Sequence, residues 1–169
     1  MPAGLRRIVG RGDLHFVTFS CYQRRRLLDS AATRNLTIEV LGGIREEFGF
    51  CLIGYVVMPS HLHKLMSECT GSGSFQAIQE LKRRVSSRIR SGSEEGTHKR
   101  FWQRRYYDFN VYSRAKIREK LFYMHGNPVN GRLVSHPGDW PWSSWSFLLS
   151  GKRVTGDGCL GTKGSETRR

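Results

Sequence analysis

Apolar residues alternate along the chain in some stretches and recur at helical spacing in others, and the order of these patterns predicts the elements of the fold. Residues 14–22, LHFVTFSCY, are rich in β-branched and aromatic side chains and predict a strand. Its period of two puts Phe16, Thr18 and Ser20 on one face and Val17, Phe19 and Cys21 on the other. Asp29 or Ser30 can cap a helix running to about Phe48. Ala32, Leu36, Val40, Ile44 and Phe48 form its apolar stripe, Gly42 and Gly43 weaken it, and Gly49 is its stop. Residues 50–58, FCLIGYVVM, are apolar on both sides and predict a central strand. Pro59 and Ser60 interrupt it, and residues 61–67 continue as a third strand. The loop TGSGS leads to a helix over about 74–90, with Phe75, Ile78, Val85 and Ile89 inward and Leu81 at the border.

Beyond a polar loop at 91–99, residues 101–112, FWQRRYYDFNVY, read as a fourth strand in which aromatic and basic side chains interleave. Ser113 caps a third helix from about Arg114 to Gly126, with Ile117, Leu121 and Met124 facing inward, and Pro128 ends it. Up to Leu149 the chain reads as an irregular segment packed by Trp140, Trp142 and Trp145. Two β-α-β halves followed by an extra helix predict an α+β, ferredoxin-like split β-α-β fold, one antiparallel sheet with helices on one face. Residues 1–150 are expected to form a single domain, and 151–169 a disordered polar tail.

Charge narrows the functional classes. The 169 residues contain 28 Lys and Arg against 14 Asp and Glu, a net charge of +14 with a pI near 10.3. So large an excess points to a polyanion, most often nucleic acid. Three arginines, Arg24, Arg25 and Arg26, cluster after the first strand. Lys82, Arg83, Arg84, Arg88 and Arg90 crowd one side of the second helix with no acidic residue among them, which suggests a phosphate-facing surface. In FWQRRYYDFNVY, Trp102 can stack on a base while Arg104 and Arg105 neutralise phosphate, as single-strand binders do. No run approaches the roughly 18 apolar residues of a membrane span. The opening MPAGLRRIVGRG lacks the apolar core of a secretory signal. Cys21, Cys51, Cys69 and Cys159 form no C-x-x-C pair, so free thiols in a reducing cytoplasm are expected.

The candidate chemistry centres on YVVMPSHLHKLMSE at 55–68. On a strand, His61 and His63 point to the same face, and two imidazoles so placed can grip one divalent cation. The same spacing also arises in strands that bind nothing. On the third helix Tyr123 and Asn127 are four residues apart and share a face, with Lys116 and Lys120 on the same side. A structural tyrosine would satisfy that position as well.

Several ordered blocks add a resemblance. MPSHLHKLM resembles the His-hydrophobic-His motif of the single-tyrosine transposases. FWQRRYYDFNVY, KLFYMHGNPVNGRLV and HPGDWPWSSW resemble in order the later blocks of the REP-associated tyrosine transposases, relatives of the small insertion-sequence transposases. LHFVTFSCYQRRR fits their first strand, so the likeness spans about residues 10–148. Lys64 departs from it, standing where relatives often carry an apolar residue, as does the G-R pair Gly131 and Arg132 before Leu133.

The resemblance implies that His61, His63 and Asn127 bind a catalytic Mg²⁺ or Mn²⁺ and that Tyr123 is the nucleophile. It implies cleavage of single-stranded DNA beside a short hairpin, with the enzyme left on the new 5′ end. Arg24, Arg25, Lys82, Arg83, Trp102, Arg104, Arg105 and Lys120 are expected to contact nucleic acid. Activity is expected to fall below about pH 6, because only neutral imidazole binds metal. A monomer is expected, a homodimer being the alternative. A hairpin-binding module without catalysis, and a nickase of the replication-initiator kind, are the other readings; the former does not need His61, His63 and Tyr123 together.

Overall fold

The computed structural model describes residues 10–70, 73–92 and 100–150. Strands β1 (Leu14–Ser20), β2 (Leu52–Val57), β3 (His61–Met66) and β4 (Tyr107–Val111) form one antiparallel sheet in the order β2-β3-β1-β4. Helix α1 (Ala31–Phe48) joins β1 to β2, and α2 (Ser74–Ser91) joins β3 to β4. The two helices pack side by side. This is the expected ferredoxin-like order. The extra helix, α3 (Arg114–Asn130), packs instead against β2 and β3 on the opposite face.

Strand alternation therefore serves two cores. Val17, Phe19, Leu62 and Met66 pack with α1 and α2, while Phe16, Val56, Leu65 and Val111 pack with Met124 of α3. Gly54 lets α3 approach β2: a Cβ there would lie 2.7 Å from a methyl of Leu121. Pairing then aligns one transverse row, Val56–His63–Thr18–Tyr107, with every side chain facing α3.

The first helix is capped by Ser30, whose Oγ accepts from Thr33 N at 3.1 Å, and it stops at Gly49 in the left-handed region. Its buried side is Arg34, Thr37, Val40, Leu41 and Ile44. The expected stripe spaced by four overshoots the 3.6-residue turn, so Ala32 rotates out to solvent and Leu36 and Phe48 to the border. A second correction concerns α3, which runs through Pro128 to Asn130. A proline so near the end removes only one bond of the final turn. That turn is closed by Gly131 N to Asn127 O at 2.8 Å and Leu133 N to Pro128 O at 2.9 Å.

The tryptophan segment is held at the open edge of β2 rather than merely packed. Val57 N donates to Trp142 O and Ser144 N to Tyr55 O, and the Trp140 indole donates to Val57 O. The Arg34 guanidinium lies 3.9 Å from the Trp142 ring centre. A short helix, α4 (Trp145–Leu149), follows. An edge covered in this way does not pair with another chain.

Lys64 points away from His63, into the α1–α2 core, and is 0% exposed. Its amine has no hydrogen-bond partner and rests 5.0 Å from the Phe50 ring centre. Burial lowers its pKa to about 8. Cys21 and Cys69 are free thiols, whereas Cys51 is disulfide-bonded, which corrects the expectation of four free thiols. Linear spacing excludes no such bond, because a bridge requires only that two Cα atoms approach within about 7 Å. No helix of the described residues is long and apolar enough to cross a membrane. The expected tail at 151–169, with Cys159, lies outside the described residues.

Candidate active site

The α3-facing side of the sheet opens into a cleft of about 800 Å³. His61 and His63 line it from β3, Tyr123 and Asn127 from α3, and Arg24 from the loop after β1. The two imidazole centres are 4.8 Å apart. His63 Nδ1 lies 2.7 Å from Thr18 Oγ1, and His61 Nδ1 lies 3.1 Å from Ser60 Oγ. A hydroxyl on each Nδ1 turns Nε2 toward the cleft, as supporting hydrogen bonds do for metal-ligating histidines. The Nε2 of His63 is buried with no hydrogen-bond partner, an unmet polar atom of the kind a bound cation satisfies.

Both imidazoles are held neutral. Burial pushes His61 down to about 4, assisted by the nearby positive charge of Arg24. Burial and then the neighbouring His61 push His63 down to about 3. The Asn127 side chain acts in the other sense on both rings, favouring their protonated forms. Its Nδ2 donates to Tyr123 O at 2.9 Å, which leaves Oδ1 free to face the histidines. Among the described residues no group of three His, Cys, Asp or Glu could hold a metal, so a third protein donor beside the histidines would be this amide.

Phe16 organises the aromatic side of the cleft. Its ring stacks on His63 at 5.6 Å and meets Tyr123 edge-on at 6.1 Å. Tyr123 lies 5.6 Å from the His63 ring and is 54% exposed, so its side chain is open to solvent. The amine of Lys120, one turn earlier, sits between Phe16 at 5.0 Å and Phe109 at 4.7 Å. The cleft lining contains no carboxylate, while Arg24, Arg104, Arg105 and Lys120 all reach it. That field suits a polyanion.

The other expected contact residues do not converge here. Lys82 is 7% exposed, and its amine donates to Gln103 O at 2.7 Å. The Trp102 indole donates in return to Lys82 O at 2.8 Å, and its ring packs edge-on against Phe19. Both are corrections: these side chains belong to the core and hold the loop that carries Arg104 and Arg105. Arg83 pairs with Glu80, Arg84 with Glu80 and Glu47, and Arg88 with Glu39. The basic run of α2 thus meets carboxylates one turn back and across on α1, on the face away from the cleft. Arg25 does not line the cleft. Thr18 and Tyr107 were missed by the sequence reading. Alternation did put Thr18 on one side of β1, but only pairing register shows that the histidines share that side.

Comparison with known proteins identifies relatives of this chain. The family model described as "Transposase IS200 like" matches residues 9–125, ending just beyond Tyr123. A curated REP-associated tyrosine transposase of Escherichia coli K12 is 26% identical over 144 residues, covering 83% of this chain and 81% of its own. A solved REP-associated tyrosine transposase bound to a REP hairpin superposes with a TM-score of 0.73 at 21% identity, over 88% of this chain and 86% of its own. A putative transposase from Deinococcus radiodurans gives a TM-score of 0.52 at 17% identity, over 72% and 97%. The family match covers well over half of the sequence, and the chain belongs to the IS200-like transposase family.

Proposed function

We propose that this transposase cleaves single-stranded DNA next to a hairpin and rejoins strands through a covalent 5′-phosphotyrosine on Tyr123. The observation that carries the reading is the half-exposed Tyr123 ring set 5.6 Å from His63, whose Nε2 is buried and unpartnered. The REP hairpin held by the solved relative supports hairpin DNA as the substrate.

His61 Nε2, His63 Nε2 and Asn127 Oδ1 would hold the divalent cation, and two nitrogens with an amide oxygen suit Mn²⁺ or Mg²⁺. Such a cation, when bound, withdraws charge from the non-bridging phosphate oxygens. The chain's own residues do the rest. Thr18 and Ser60 orient the imidazoles. Arg104 and Arg105 bind the flanking backbone. Phe16 fixes the Tyr123 ring by edge contact. The phenol loses its proton to the water that reaches it, the bond from Oη to phosphorus forms, and the bond from phosphorus to the 3′ oxygen breaks. The departing 3′ oxygen takes up a proton. The phosphotyrosine retains the phosphodiester energy, so attack by another 3′-OH reverses the step and joins a strand without ATP.

The test is a denaturing gel of the protein with labelled single-stranded hairpin DNA and Mn²⁺ or Mg²⁺. A labelled band at protein mass that requires the metal and disappears with Tyr123→Phe is the expected result. Tight binding without such a band would leave a binding module instead.

A further inference from the structure

The loop that delivers Arg24 is the one place among the described residues where two consecutive non-glycine residues occupy the left-handed region. Gln23 sits at φ 53°, ψ 27° and Arg24 at φ 55°. Side chains with a Cβ adopt that region at a cost, and such residues persist where their surroundings over-determine them, often at functional sites. Here the surroundings are tied to the site itself. Cys21 N donates to Ser60 O, immediately before His61, and Leu28 N donates to Pro59 O. Tyr22 N donates to Phe101 O, and Arg24 N to Cys21 O. The strained turn is thus clamped to the one that leads into the histidine strand.

What the turn presents is a charge in an odd place. Arg26, two residues on, is satisfied by Asp29 at 2.8 Å. Arg24 has no acidic partner among the described residues and lines a cleft that contains no carboxylate. It lines the same cleft as His61, His63 and Asn127. A fixed cation beside a set of cation ligands weakens their hold on a metal ion. The arrangement becomes favourable only when an anion lies between the two positive centres, and a phosphodiester is such an anion.

We propose that Arg24 makes metal and DNA binding interdependent. In the DNA-free protein its guanidinium opposes a cation at His61, His63 and Asn127; when a strand enters, it takes the phosphate at the reacting site. Each ligand then raises affinity for the other by the same factor, because coupling between two bound ligands is reciprocal. The inference rests on the cation site proposed above and adds to it a reason for the strained loop. It also keeps the cleft poorly metallated until substrate is present.

The test measures Mn²⁺ binding, by the spin resonance of free Mn²⁺, in a Tyr123→Phe background that cannot cleave. Arg24→Asn removes the charge but keeps a residue that tolerates left-handed backbone, so the fold is preserved. Arg24→Lys keeps the charge. Arg26→Gln removes an equal charge from the same loop away from the cleft. Without DNA, Arg24→Asn should bind Mn²⁺ roughly three- to tenfold more tightly, the range expected for one partly screened charge near a divalent ion. Arg24→Lys and Arg26→Gln should remain near the parent. A single-stranded hairpin oligonucleotide, chosen because the protein retains it in a gel shift, should tighten Mn²⁺ binding in the parent and much less in Arg24→Asn. Unchanged DNA-free affinity in Arg24→Asn, or equal tightening by DNA in both proteins, overturns the coupling. Mn²⁺ binding that ignores His61→Ala would instead remove the cation site on which the coupling depends.

Discussion

Thr18 Oγ1 lies 2.7 Å from Nδ1 of His63, joining adjacent strands across 45 residues of sequence. In the tautomer whose Nδ1–H donates to that hydroxyl, the lone pair on Nε2 is left for a metal ion. Thr18→Val keeps the shape and removes the partner. Loss of a hydrogen bond behind a metal-ligating histidine generally costs about 10–100-fold in metal affinity, and that is the expected fall in Mn²⁺ binding. An unchanged binding isotherm in a folded Thr18→Val protein would show that the hydroxyl does not orient the ring.

The loop carrying Arg104 and Arg105 separates two roles that composition confuses. Each arginine that contacts phosphate contributes about one unit to the dependence of log affinity on log salt, so Arg104→Ala and Arg105→Ala should each reduce that slope by about 1. Lys82→Met removes the part-buried bond from the ammonium to the Gln103 carbonyl, and losing a hydrogen bond to a charged group costs about 1–3 kcal/mol. Its effect should appear in chemical denaturation, with the salt slope preserved. A reduced slope for Lys82→Met would return this lysine to the DNA interface.

Lys64 gives a prediction of opposite sign. Its amine is fully buried and unpartnered, so the charged form is penalised and the pKa falls to about 8. Unfolded, the amine titrates near 10.4. Between those values the unfolded chain holds more protons, and stability rises with pH across that window. Lys64→Met fills the same space without the charge and should stabilise the protein by about 1–3 kcal/mol at neutral pH. Equilibrium urea denaturation checks it; a clear loss of stability would mean that the amine has a satisfying partner.

Acid should weaken the fold through the same imidazoles that face the cleft. The folded values, about 4 for His61 and about 3 for His63, lie below the ordinary 6.5. The unfolded chain therefore takes up more protons from about pH 6.5 downward, and stability falls until pH passes the folded values. His15 works in the opposite direction, because its bond to Asp108 raises its pKa. Comparing His61→Asn with the parent cancels that contribution, and the variant should lose less stability between pH 6.5 and 4, by about 2–3 kcal/mol at most. A pH profile identical to the parent's would contradict the burial of His61.

Burial also moves the expected acid limit of metal binding. Imidazoles that remain neutral below pH 6 compete little with protons, so Mn²⁺ affinity at pH 5.5 should lie within about threefold of its value at pH 7. A steep loss near pH 6 would indicate ordinary, solvent-exposed histidines.

Local chemistry was legible in the sequence wherever the physics is local. Period-two alternation placed His61 and His63 on one face, and helical spacing placed Tyr123 and Asn127 on another. Ser30, Gly49 and Ser113 marked helix ends because caps act within one turn. The βαββαβ order followed from the succession of these patterns. Only the tertiary structure decided which side chains from distant segments meet. Pairing register put Thr18 and Tyr107 in the row of His63, and packing sent α3 to the face opposite α1 and α2. The basic run on α2 read as a phosphate surface until Glu39 and Glu47 of α1 were brought against it. Lys82 and Trp102 read as ligands of a strand until the core closed over them. Charge and aromaticity are properties of a residue, but a partner is a property of the fold, and the choice between phosphate and carboxylate is made by contacts far apart in the chain.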